Sequence, residues 1–399
     1  MSDPTAQPPA AARHGPPAAM LVALTAIPAF SINVFLPSMP GLAAYFGTSG
    51  AMVQLAITLY LVMIGVGQLV YGPFSDRFGR RPVLLAGLAV FVLGCALCLA
   101  AQTIEQLLLG RMVQAAGGCA GMVLGRAMIR DLHAGGKAAS VLGYITMAMA
   151  VATMIAPGIG GVIEENAHWR WSFALMTALA VLLLLWVWWR AGETLAHRAP
   201  LPSPMRMLSL YRQIAANRRF FFYGGYSICL IGSYYSYVSG APHVVITLLD
   251  QRPTQYAAYY LISGCSYMAG NFFAGRLSER WGIDRMTLVG GAIAMTAGVL
   301  LIALVAAEVR HPLVVFGPIA LSFIGSGLSQ PSAMTAALDA NPRYIGAGAG
   351  LLGALQLAAG ALASVVIGVT EGPSPLPFAL LSGGLLILGY VILLAGRRG

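Results

Sequence analysis

The sequence predicts an all-α integral membrane protein whose twelve transmembrane helices form two six-helix halves. Three observations predict this. Charge is scarce: 399 residues carry 23 Lys+Arg and 13 Asp+Glu, so 9% are charged and 58% apolar, against roughly 25% charged in soluble proteins. The apolar residues fall into twelve runs, near 18–38, 51–72, 82–101, 107–129, 140–163, 171–189, 220–241, 255–275, 286–306, 312–337, 345–369 and 376–396. Each is close to the ~20 residues a helix needs to cross a bilayer. Finally, basic residues alternate between the two ends of these runs. Counting from an inside N-terminus, 18 fall in inner loops and only Arg170, Arg252 and Arg310 in outer ones, a strong positive-inside bias. Both termini are therefore expected to be cytoplasmic. Segments of alternating polarity, as in a β-barrel, are absent.

These features exclude several function classes. A net charge of +10 could suggest a nucleic-acid partner, but the arginines sit in short loops between apolar runs. No loop exceeds about 30 residues and no catalytic cluster stands out, so an enzyme is not expected. The cysteines Cys95, Cys98, Cys119, Cys229 and Cys265 all lie in apolar runs, where small apolar packing is expected rather than metal or redox chemistry. No metal or other cofactor is expected. The partners expected are a small-molecule substrate, the lipid bilayer and possible protons, in a monomer.

Along the chain, residues 1–17 are Pro- and Ala-rich and read as a disordered cytoplasmic tail. Span 1 ends in Ser31-Ile-Asn33-Val-Phe-Leu36-Pro37-Ser-Met-Pro40. After span 2 comes Gly72-Pro-Phe-Ser-Asp76-Arg77-Phe-Gly79-Arg80-Arg81, and after span 8 Gly275-Arg-Leu-Ser-Glu279-Arg280-Trp-Gly282. Both copies read G-x-x-S-[D/E]-R-[F/W]-G, as expected of a carrier built from two parallel repeats. Gly72 and Gly79 permit tight turns. Asp76 and the neighbouring arginines, with Glu279 and Arg280 in the second copy, form a candidate charge latch that favours one access state.

Span 4 carries Gly110-Arg111-Met-Val-Gln114. An arginine within an apolar run is a functional candidate, although Arg111 lies near enough to the outer end to snorkel. Gly117, Gly121 and Gly125 make a small-residue stripe for close helix packing. Span 5 carries Pro157-Gly158-Ile-Gly160-Gly161, where the proline tends to kink the helix and the glycines admit a neighbour. The Pro- and Arg-rich stretch 190–219 is a cytoplasmic linker that divides the halves 18–189 and 220–399. A substrate path between them is expected to be lined by polar and aromatic residues within spans: Asn33, Gln54, Tyr60, Tyr144, Tyr226, Tyr234, Tyr235, Tyr267, Asn271, Gln330 and Gln356. An interfacial aromatic belt explains the span 7 tyrosines Tyr234 to Tyr237 equally well. Past span 7, His243 is either interfacial or titrates near neutral pH.

The loop after span 2 resembles the signature of the major facilitator superfamily. Arg111 with Gln114 is similar to that superfamily's span 4 motif, with Ala115 where a glycine is usual. The Pro157 to Gly161 run resembles its antiporter motif, and the end of span 1 resembles the bicyclomycin/chloramphenicol-type drug:proton antiporters. The resemblance covers essentially the whole chain. It implies the major facilitator fold and efflux of drug-like amphipathic compounds, or of a secreted metabolite such as a siderophore, by alternating access and proton antiport. Arg111, Gln114, Pro157, Gly158 and Gly161 would serve coupling and transport. One departure bears on mechanism: that family usually has an aspartate where this chain has Asn33, and an asparagine cannot carry a proton. An uptake permease or an uncoupled facilitator is the alternative.

Overall fold

The computed structural model describes residues 16–132, 135–195, 198, 203–308, 311–340 and 345–397, with backbone alone at 135–144, 146, 204, 206, 279 and 345. All of the expected N-terminal tail except residues 16 and 17 lies outside these. The regular elements are helices: α1 Ala18–Phe35, α2 Met39–Phe46, α3 Gly50–Phe78, α4 Arg80–Ala100, α5 Ile104–Leu132, α6 Gly135–Asn166, α7 Arg170–Arg190, α8 Pro204–Ala215, α9 Arg218–Pro242, α10 Pro253–Ala306, α11 Pro312–Asp339, α12 Ile345–Thr370 and α13 Leu376–Ala395.

Local sequence explains the interruptions. Pro37 and Pro40 lack the amide hydrogen that continues an α-helical ladder. There α1 passes through a 3-10 turn, Leu36–Ser38, into α2, and the pair makes one crossing. Helix α3 begins at Ser49, whose hydroxyl accepts from the Met52 amide. It ends at Gly79, with φ 106°, a conformation that favours glycine. Helix α10 has 54 residues, ~80 Å at 1.5 Å per residue, far more than the ~30 Å hydrocarbon core. It bends at Gly282, with φ 72°, and makes two crossings. Gly79 stands seven residues after Gly72, and Gly282 seven after Gly275. The repeated motif thus puts a positive-φ glycine at the same offset in both halves. By contrast, α6 remains helical through Pro157.

Ten crossings are long and apolar enough to span a membrane by composition alone. The other two are α9 and the first limb of α10. Their tyrosines, serines and glycines dilute the hydropathy, and these residues face the interior of the bundle rather than lipid. Large apolar side chains cover the outside, with Leu182, Trp189 and Val369 among the most exposed.

In the first half α4 packs on α5 and α7, and α1 on α5 and α6. In the second, α10 packs on α11 and α13, and α9 on α12 and α13. The halves meet along α3 with α12 and α6 with α10. Glycines set the closest approaches. A Cβ on Gly117 would collide with the Phe91 backbone, one on Gly121 with the Leu24 carbonyl, and one on Gly160 with the Val34 carbonyl. The linker is not extended throughout. Its helix α8 tucks Ile214 against Phe220, Ala337 and Leu352 and leaves Met205 and Leu208 exposed.

Candidate functional site

At the arginine-rich end, the loop between α3 and α4 is built around Arg80. Its guanidinium pairs with Asp76 at 2.6 Å and with Asp131 of α5 at 3.0 Å, and donates to the Ser75 hydroxyl at 2.5 Å. The turn at Gly79 leaves the first amides of α4 free. The Glu193 carboxylate, just past α7, accepts from Arg80 N at 3.0 Å and Arg81 N at 3.2 Å, a favourable place for an anion at a helix N-terminus. Arg81 donates to the Trp188 carbonyl at 2.8 Å. Arg77 lies over the Phe78 ring, and the space around Gly72 is open. The second copy is built differently. Arg280 is exposed, the Glu279 side chain lies outside the described residues, and Asp284 instead accepts from Tyr223 at 2.5 Å and lies 3.7 Å from Arg219.

In mid-bundle, Arg111 is fully buried, so it does not snorkel. One Nη donates to the Gln114 side-chain carbonyl at 2.6 Å and to the Ser31 hydroxyl at 3.2 Å. The guanidinium lies 4.3 Å from the Tyr60 ring centroid and 5.0 Å from that of Phe35. Among the described residues no carboxylate pairs with it, and its Nε and other Nη lack partners. Aromatic faces therefore replace a counter-ion. Tyr60 donates to the Pro28 carbonyl, and Gln114 reaches Cys95.

Next to this group lies a cavity of about 300 Å³ between the halves. One wall is Ala29 of α1 with Met149, Thr153 and Met154 of α6. The opposite wall holds Tyr234, Tyr235, Tyr260, Tyr267 and Gln330, and among the described residues no acid lines the cavity. Asn33 does not itself line the cavity but bonds two residues that do, Ala29 and Tyr260. Its amide donates to the Ala29 carbonyl at 2.7 Å and its carbonyl accepts from Tyr260 at 2.6 Å; the Tyr260 hydroxyl lies 3.2 Å from that of Tyr234. Gln330 and Gln356 both donate to the Ser227 hydroxyl. Of the expected lining residues, Tyr226 instead bonds Ser329 within the second half, and Asn271 bonds the Tyr267 carbonyl. Gln54 lies toward the far end, donating to the Ser239 carbonyl at 2.7 Å. The Tyr144 side chain lies outside the described residues. Pro157 is buried, Gly158 has open space, and Gly161 abuts Pro253 across the seam.

At that far end His243 faces two acceptors, the Glu371 carboxylate at 2.9 Å and the Gly372 carbonyl at 3.1 Å. Only the imidazolium donates from both nitrogens. The bond to Glu371 raises the His243 pKa above its ordinary value.

Comparison with known proteins decides the family. The family model described as Major Facilitator Superfamily matches residues 21–364. The chain belongs to the major facilitator superfamily. It is 28% identical over 388 residues, 95% of each chain, to the Multidrug resistance protein D of Escherichia coli (strain K12). It is 24% identical over 378 residues, 92% of each chain, to the Bicyclomycin resistance protein homolog of Haemophilus influenzae. The structure of a bacterial homologue of the human lysosomal transporter Spinster superposes with a TM-score of 0.73 at 15% identity, covering 96% of this chain and 95% of that one. Major facilitator architecture thus accounts for the two six-helix halves and the cavity at their seam.

Three residues of these sites were hard to read from the sequence. Ser75 was marked by the serine repeated in both motif copies. Glu193 carried none, since it reaches the turn from across the half. Tyr260, near the start of α10, lines the cavity itself.

Proposed function

We propose that this major facilitator chain exports small amphipathic compounds, chloramphenicol- or bicyclomycin-like drugs or a secreted metabolite, across the bacterial inner membrane. Both termini lie on the cytoplasmic side, and the monomer is a carrier, not an enzyme. The carrying observation is the cavity at the seam, with tyrosine hydroxyls on one wall and methionines on the other. Such a surface gives adaptable apolar contact with a few hydrogen-bond handles. The printed names of the relatives, bicyclomycin resistance and multidrug resistance, support the same reading. Rocking of the halves about the seam would expose the cavity to each side in turn. The Asp76–Arg80–Asp131 latch and the glycines of α6 would control that motion.

Proton antiport supplies the energy in this reading. The alternative is a facilitator without proton coupling, favoured by one observation: Asn33 is held by Ala29 and Tyr260 where a coupling acid would stand. Inverted membrane vesicles supplied with external chloramphenicol test both. Antiport predicts accumulation that collapses with the pH gradient. Transport insensitive to the gradient, with a gradient response appearing in Asn33→Asp, would assign the native chain to the uncoupled class.

A further inference from the structure

A second cavity, of about 420 Å³, opens at the arginine-rich end of the seam, between α3, α5, α8 and α12. Two of its lining residues, Arg126 and Arg130, stand one turn apart on α5. Neither forms a hydrogen bond or an ion pair among the described residues. The two neighbouring acids are already engaged, because Arg80 holds both Asp76 and Asp131. Both side chains are exposed, and like charges at this spacing repel unless an anion lies between them. The planar guanidinium fork matches carboxylate and phosphate oxygens. Gln68 and the paired Asp76 and Arg80 also line the cavity, and most of the remaining wall is apolar, with Met122, Met207 and Tyr211. Helix α8, which supplies the last two, exposes Met205 and Leu208. A helix of that kind lies at the level of the lipid headgroups.

We infer that this cavity is the cytoplasmic loading site for an anionic amphiphile, whose carboxylate or phosphate bridges Arg126 and Arg130 while its apolar body lies along Met122, Met207 and Tyr211. The inference rests on the export reading and narrows its cargo to compounds with an anionic head. The head could belong to a cytosolic solute or to an inner-leaflet lipid, because the recognising chemistry is the same.

The test is a binding titration on the purified full chain in neutral detergent at low salt, using octyl phosphate, octanoate, octanol and octyltrimethylammonium. Octyl phosphate and octanoate should bind at least about tenfold more tightly than the other two, the size expected when charge-assisted hydrogen bonds are made. Their affinity should fall as salt is added. The Arg126→Gln/Arg130→Gln double variant should lose about tenfold in octyl phosphate affinity while keeping its elution volume. If that variant fails to fold, the salt series and Arg130→Lys, which keeps the charge, carry the same decision. Repeating the titration in nanodiscs with and without phosphatidylglycerol separates the sources. Competition by that lipid assigns the site to a headgroup, and its absence assigns it to a solute. Equal affinity for octanol and octyl phosphate, or unchanged affinity in the double variant, would overturn the inference. The vesicle assay with chloramphenicol is independent of these probes, so failure of the export reading would be recognised separately.

Discussion

Arg111 carries its charge in a place where water and carboxylates are both excluded. Its stabilisation comes from two aromatic faces and two neutral acceptors, Gln114 and Ser31. Flat rings above a planar ion suit arginine specifically. Arg111→Ala should therefore reduce transport by about tenfold or more, and Arg111→Lys should not restore it, because a lysine neither stacks on the rings nor reaches Gln114 and Ser31 in the same fork. Initial rates in vesicles at matched expression measure this, and normal rates in Arg111→Ala would make the residue structural. The residue was legible in the sequence as an arginine within an apolar run. Its partners were not, because Tyr60, Phe35 and Ser31 come from other helices and their spacing carries no trace of the contact.

On the scale of elements, the loop between α3 and α4 shows what a repeated motif can and cannot reveal. Its backbone was legible in part: Gly79 makes the expected turn and Gly282 matches it at the same offset, whereas Gly72, also expected to turn, lies within α3. Its side-chain partners were legible in part. Arg80 was expected to act with Asp76, but its second carboxylate comes from Asp131, 51 residues further along the chain. That second partner sets the expected outcome for Asp76→Asn. Asp131 still holds Arg80, so the half should fold and insert normally, while export falls by about tenfold or more through loss of the half-exposed member of the latch. Surface expression and vesicle transport read the two effects separately. Normal export by this variant would remove the latch from the mechanism.

For the whole molecule, the seam between the halves is also closed at the end away from the linker. There Glu371, just past α12, abuts Gly50 at the start of α3, and His243 holds Glu371. His243 has a raised pKa, so the pair's contribution is fully present below the ordinary histidine value of about 6.5 and is lost as pH rises through the raised value. Wild-type protein should melt about 1–2 °C above His243→Gln at pH 5.5. The two should converge in alkaline buffer, and a constant difference across pH would mean that the pair carries no charge-dependent role. The two-half plan was legible because charge placement and motif repetition survive without structure. Contacts across the seam were not, since they join residues far apart in sequence and depend on how the halves lean together.

The central cavity is unequal in a way that bears on how specificity can change. Nearly all of its hydrogen-bonding groups belong to α9, α10 and α11, whereas α1 and α6 contribute mainly methionines, alanines and a single threonine. During rocking, a bound molecule would travel with the second half, while the first slides over it as an apolar cover. Changes in the range of compounds carried should therefore arise from substitutions in 226–330, and substitutions in α6 should alter the rate of turnover more than the choice of cargo.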